Sequence, residues 1–195
     1  MEQPGLAGLG TQVSSIHRLF FALWPDDRLR QHIGEAATRL QQEHEGGGRR
    51  IGVHRYHLTL QFLGDFDGLP PSLVERAMAA ANTAAAKLSA FELLLADAGS
   101  FRNRWIPWWI GCSEMPEGLR QLHGVLGEAL VRAGVRVVSG KALVPHVTVV
   151  RDARRPLPTT AIEPLPWQVD SFVLIHSELG ARSAYTELGR WSLQA

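Results

Sequence analysis

The sequence predicts an α+β fold built on a largely antiparallel sheet. Three observations point to it. Strand-like and helical runs follow the order strand, helix, strand, helix, strand, strand, helix, strand, strand, strand. Two of the strand-like runs carry matching tetrads, His57-Leu58-Thr59-Leu60 and His146-Val147-Thr148-Val149. Each tetrad is reached from a helical run through a loop, 26–45 into His57 and 117–132 into His146, which gives the chain a rough two-lobed symmetry without a clear sequence repeat.

The elements follow from local pattern. Arg18 to Trp24 is an apolar, aromatic-rich run ended by Pro25 and reads as a strand. Pro25-Asp26-Asp27 opens a helix, with Leu29, Ile33, Ala36, Ala37 and Leu40 at helical spacing. It fades into the basic loop Gly46-Gly47-Gly48-Arg49-Arg50. Tyr56 to Leu63 is the strand of the first tetrad. Pro70-Pro71-Ser72 begins an alanine-rich helix through about Lys87. Phe91–Ala96 and Trp105–Cys112 read as strands around a turn. Glu117 to Arg132 is a helix with Leu119, Leu122, Leu126 and Leu130 on one face, stopped by Gly134. Leu143 to Arg151 is the strand of the second tetrad. Residues 152–166, with four prolines, read as a loop, and Trp167–His176 and Tyr185–Leu193 as final strands. Residues 1–16 read as a loose tail ahead of one bilobal domain, 17–195.

Composition narrows the function classes. The chain is 45% hydrophobic and 20% charged with a net charge of +1, so no global field demands a polyanionic partner, and nucleic-acid contact has to come from a local basic cluster. Cys112 is the only cysteine, which excludes an intramolecular disulfide and a Cys-based zinc site. The longest apolar runs fall short of the ~20 residues of a membrane span. Residues 1–16 lack the basic start of a signal peptide. A cytoplasmic monomer, with no membrane partner, is the expectation.

The chemistry is in the tetrads. On a strand, residues two apart share a face. Each tetrad therefore presents an imidazole beside a hydroxyl and sends its apolar residues into a core. The chain has 8 histidines, and random placement beside as many threonines predicts about a third of one His-x-Thr. Two copies, both framed by apolar residues in strand-like runs, exceed that. Two facing units give two histidines and two hydroxyls around one small space, which suits metal-free phosphoester chemistry. Imidazole titrates near neutrality and serves as acid or base; Thr59 and Thr148 can donate to phosphoryl oxygens. Arg151, two residues past the end of the second tetrad, is a candidate phosphate clamp, with a strand-end surface arginine as the competing reading. Phe21 is a candidate to stack on a base, against a plain core aromatic. Arg49, Arg50, Arg102 and Arg104 can line an approach for RNA or simply be solvated loop charge. His17, His32, His44, His54, His123 and His176 lack a Thr two places on and read as surface or capped core residues.

With these residues in hand, the chain resembles the 2H phosphoesterase superfamily, and within it the LigT-like RNA 2′,3′-cyclic phosphodiesterases once called 2′-5′ RNA ligases. The resemblance rests on Arg18-Leu19-Phe20-Phe21-Ala22-Leu23, on His57 through Gly64, on Trp108-Trp109-Ile110-Gly111, on Pro145 through Arg151 and on Val169 through Leu174. Val149 and Val150 stand where Leu and Ala are commoner. The resemblance implies a bilobal fold of two pseudo-symmetric, mostly antiparallel sheets with outer helices and a central cleft. It implies hydrolysis of RNA or nucleotide 2′,3′-cyclic phosphates to 2′-phosphomonoesters without metal or cofactor, and possible reverse 2′-5′ ligation. It implies His57 as proton donor and His146 as proton acceptor; the residues alone leave those two roles interchangeable. Another phosphoester substrate, such as a 2′-5′ oligonucleotide or small cyclic nucleotide, and a non-catalytic nucleotide- or RNA-binding module stay open at this point.

Overall fold

The structure is a computed structural model that describes residues 16–137, 143–179 and 184–195. The expected tail, residues 1–16, lies outside the described residues except for Ile16, which opens the first strand. The strands are β1 (Ile16–Leu23), β2 (Arg49–Arg50), β3 (Leu58–Phe66), β4 (Phe91–Ser100), β5 (Trp108–Gly111), β6 (His146–Arg151), β7 (Thr160–Val169), β8 (Ser171–Leu179) and β9 (Tyr185–Ser192). The helices are α1 (Asp27–His44), α2 (Pro71–Ala85) and α3 (Glu117–Arg132). Asp26 caps α1 by accepting from the Leu29 amide at 2.7 Å. Pro71 opens α2, where its missing N–H is harmless.

The strands run β7-β4-β5-β6-β3-β1-β8-β9, with the two-residue β2 paired to β6, and all recorded strand pairings are antiparallel. This is the expected α+β architecture of two like halves. In one, β6 is backed by β5, β4 and β7; in the other, β3 is backed by β1, β8 and β9. Their inner strands meet through the single pair Leu58 and Val147. Each inner strand follows a strand–helix unit, β1–α1 before β3 and β5–α3 before β6.

One face of the sheet and the helices enclose the main core, which includes Leu58, Leu60, Val147, Val149, Trp108 and Phe21. α1 packs against β6 and β7; α2 and α3 pair with each other, α2 against β9 and α3 against β3 and β4. The opposite face of the second half carries a smaller apolar cluster of Phe20, Ala22, Val173 and Ile175, flanked by Trp24, Phe62 and Tyr185. That face holds the site.

Two sequence readings need correction. Residues 160–166 are not loop but the first part of β7, an edge strand. Pro164 and Pro166 are compatible with it because an edge strand leaves alternate amides without a ladder partner. The run Trp167–His176 is not one strand. It breaks at Asp170, where the chain leaves β7 in one half and enters β8 in the other.

Candidate active site

Leu58 and Val147 are wholly buried in the main core, so their neighbours in sequence face the other way. Extending the Leu58–Val147 pairing by one residue on each side sets His57 beside Thr148 and Thr59 beside His146. The four side chains then occupy one patch of the sheet, with the histidines on its diagonal. Cross-strand diagonal neighbours stand about 7–8 Å apart, their Cβ atoms somewhat closer, enough to flank a phosphorus atom. The structure thus brings together all four tetrad residues that the sequence singled out.

His57, Thr59, Thr148 and Arg151 line a cavity of about 190 Å³, together with Arg18, Phe20, Arg49, Arg55, Phe62 and Tyr185. A larger groove of about 1030 Å³ runs between α1 and β7, past Trp24 and Arg190. It contains neither tetrad, whereas the smaller cavity is lined by His57, Thr59 and Thr148 and is the candidate site.

The two histidines are held alike. His57 Nδ1–H donates to the Arg55 carbonyl at 2.8 Å, and His146 Nδ1–H donates to the Val144 carbonyl at 2.6 Å. A carbonyl only accepts, so each bond places the proton on Nδ1 and leaves Nε2 as the working nitrogen. Each ring also meets an aromatic edge: Tyr185 stands at 77° to His57 with centroids 5.4 Å apart, and Phe101 at 79° to His146 at 4.8 Å. Phe20 lies 4.9 Å from the His57 ring.

Burial among these rings lowers both histidine pKa values. His57 falls from 6.5 to about 4, driven first by desolvation and further by the charges of His146, Arg151 and Arg55; its bond to the Arg55 carbonyl opposes the shift. His146 is lowered by the same desolvation, opposed by the Val144 carbonyl. Both imidazoles are therefore neutral near pH 7 when the cavity is empty. An anion bound between them would favour the charged form.

The remaining lining is cationic and aromatic. Arg151 lines the cavity, and Arg49 is its cross-strand partner. Arg18 makes a bidentate pair with Asp65 at 2.7 and 2.8 Å and lies 5.4 Å from the Phe62 ring centroid. The Arg55 guanidinium covers Tyr185 at 4.6 Å. Phe62 reaches this face because β3 carries an extra residue: Ala22 pairs with Thr59 and Phe21 with Gln61, so Leu60 is bulged and the alternation shifts.

Phe21 is a correction. It is fully buried on the core side of β1, its ring 5.7 Å from Trp191 and 6.1 Å from Phe172, and no base can reach it. Its neighbour Phe20 is the ring that faces the cavity. Sequence reasoning missed Phe20, Arg18, Phe62, Phe101 and Tyr185 as site residues. A signal was available in the alternation of β1, which puts Arg18, Phe20 and Ala22 on one face. Arg50 turns away to Thr38 on α1. Among the described residues, no group of three His, Cys, Asp or Glu converges to hold a metal ion, and no helix is long and apolar enough to cross a membrane.

Comparison with known proteins agrees with this geometry. The family model of the 2′-5′ RNA ligase superfamily matches residues 25–181. The RNA 2′,3′-cyclic phosphodiesterase of Escherichia coli is 33% identical over 187 residues, covering 93% of this chain and 99% of the relative. The protein of that name from Thermus thermophilus is 31% identical over 192 residues, covering 91% and 90%. Among solved structures, E. coli LigT complexed with 3′-AMP superimposes with a TM-score of 0.75 at 29% identity, over 92% of this chain and 99% of that one. The length of the matched segment and the level of identity leave one assignment: this chain belongs to the 2′-5′ RNA ligase superfamily.

Proposed function

We propose that the protein is an RNA 2′,3′-cyclic phosphodiesterase that opens cyclic phosphate ends to 2′-phosphomonoesters by two-histidine acid–base hydrolysis. The observation that carries this reading is the pair of imidazoles, each fixed through Nδ1 to the carbonyl two residues back, with Nε2 free for proton transfer. The relatives named as RNA 2′,3′-cyclic phosphodiesterases support the substrate class. The reading includes a cytoplasmic monomer, with the single cysteine in keeping with a reducing compartment.

In this reading, His146 Nε2 takes a proton from water as its oxygen attacks phosphorus. The bond from phosphorus to the ribose 3′ oxygen breaks, and the leaving oxygen takes the proton on His57 Nε2. The product keeps phosphate on the 2′ oxygen and a hydroxyl at 3′. With the 5′-hydroxyl of a second RNA end in place of water, the same steps form a 2′-5′ phosphodiester as the 3′ oxygen leaves with its proton, which accounts for ligation. Thr59 and Thr148 donate hydrogen bonds to the non-bridging oxygens, and Arg151 offsets their charge. No step calls for a metal.

The test is hydrolysis of 2′,3′-cyclic AMP and of a cyclic-phosphate-ended oligonucleotide in EDTA, with products identified by phosphorus NMR. We expect a 2′-phosphate, turnover unaffected by EDTA, and a fall in kcat of about 10²–10⁴ in both His57→Ala and His146→Ala. Full activity in either variant would sink the mechanism.

A further inference from the structure

Three loops meet beside the cavity and concentrate charge that the whole chain lacks. Residues 46–50, 101–107 and 151–155 hold seven arginines against one aspartate, on a protein of net charge +1. The loops are tied to one another. The Asp152 amide donates to the Trp105 carbonyl at 2.9 Å, and the Arg154 amide to the Gly46 carbonyl at 2.8 Å. Trp108, wholly buried, donates its indole N–H to the Arg155 carbonyl at 2.9 Å.

On this rim Trp105 is 60% exposed, and the Arg104 guanidinium lies 4.9 Å from its ring centroid. An isolated exposed apolar residue is ordinary, but this one stands on a turn that is costly to hold. Ile106, β-branched, has φ +35°, and Asp152, whose amide bonds the Trp105 carbonyl, has φ +57°. The turn is pinned by the Asn103 side chain accepting from the Trp105 amide at 3.1 Å and by the Phe101 amide donating to the Pro107 carbonyl at 3.2 Å. Its first residue, Phe101, packs edge-on against His146, so one short turn connects a catalytic histidine to an outward-facing indole.

We infer that this turn is a nucleobase platform. Trp105 stacks a base of the RNA strand that leads into the cyclic phosphate, and Arg102 and Arg104 bind the adjoining backbone phosphates. The inference rests on the proposed activity and extends it: the preferred substrate is an RNA end and not a free cyclic nucleotide. A flat indole accepts any base, so the platform adds length preference without sequence preference. The arginines add a salt-dependent attraction.

The test compares the full chain with Trp105→Ala, Trp105→Phe and the double variant Arg102→Ala/Arg104→Ala. The probes are 2′,3′-cyclic AMP and an oligonucleotide of about ten nucleotides ending in a cyclic phosphate. Losing one stacked base should raise the oligonucleotide KM about tenfold in Trp105→Ala, with much of the loss restored in Trp105→Phe. The kcat/KM for 2′,3′-cyclic AMP should stay within about twofold in every variant. In the double variant, the slope of log affinity against log salt should shrink by about 1.4, at roughly 0.7 for each phosphate that an arginine no longer neutralises. Fluorescence anisotropy with the same labelled RNA gives a readout without turnover. RNA that binds the wild type and Trp105→Ala alike, or equal losses on both substrates, overturns the platform. Trp105-dependent binding without hydrolysis by the wild type overturns the activity and leaves the platform standing.

Discussion

Phe20 and Phe21 are adjacent in sequence and lie on opposite faces of β1, one against His57 and one against Trp191. The tetrads were legible because each alternates polar and apolar residues, so the face of every residue follows from strand geometry. The run Leu19–Leu23 does not alternate. It is buried on both faces, by the main core and by the small cluster above it, and such a strand reads as continuous hydrophobicity. Only the tertiary packing says which phenylalanine serves which side. Phe21→Ala should therefore lower unfolding free energy by about 3–5 kcal/mol through the cavity left between Phe172 and Trp191, while the folded fraction keeps its kcat/KM on 2′,3′-cyclic AMP. Phe20→Leu keeps most of the bulk and should lower stability by less than about 1.5 kcal/mol, yet reduce kcat/KM because the His57 ring loses its packing partner. Urea unfolding and initial rates on the same preparations separate the two; the opposite assignment of effects would mean that the cavity face of β1 is misidentified.

Among the elements, helices and inner strands were legible and the rim was not. Helix starts and stops are local, as at Asp26, Pro71 and Gly134. The rim is assembled by Trp108, the buried first residue of β5, whose ring floor fits only a glycine in the loop above it. A Cβ on Gly46 would lie 1.9 and 2.0 Å from two Trp108 ring carbons. Trp108 is wholly buried and tied to the Arg155 carbonyl, so it has little room to yield. The sequence offers Gly46-Gly47-Gly48 as a flexible loop. The structure makes Gly46 a site of close approach, and its carbonyl holds the Arg154 amide. Gly46→Ala should lower unfolding free energy by about 1–3 kcal/mol and weaken hydrolysis by displacing Arg49 from the cavity. Gly68→Ala, where nothing lies within 4 Å, is the control and should be near neutral. Equal stability of the two variants, by thermal or urea unfolding, would contradict the close packing of the 46–50 loop on Trp108. The β7 misreading has a related cause, since proline signals a missing amide donor but not whether an edge strand needs it.

At the scale of the molecule, the site exists because two like halves meet at Leu58 and Val147, and its two histidines come from different halves. Their titration therefore reports on the assembled protein. The proposed mechanism needs one proton on the histidine pair. With His57 at about 4 and His146 also lowered from its ordinary value, that form is most populated in the free protein in an acidic window that opens near pH 4 and closes below neutrality. We expect kcat/KM on 2′,3′-cyclic AMP to peak in that window and to decline as pH rises beyond it. The bound phosphodiester raises both pKa values, so the alkaline limb of kcat should lie at higher pH than that of kcat/KM. Stability runs against this. In the unfolded chain His57 takes up a proton near 6.5, and in the folded protein only near 4. Above 6.5 neither state is protonated and the residue has no effect. As pH falls from 6.5 towards 4 the unfolded state binds more protons, and folding loses about 1–3 kcal/mol from this group. His57→Gln, which cannot titrate, should flatten that part of the urea midpoint–pH curve while abolishing turnover. A midpoint slope unchanged in His57→Gln would mean that the cavity does not desolvate the histidine. The acid would then be protonated by ordinary exposure to solvent, without the substrate's charge.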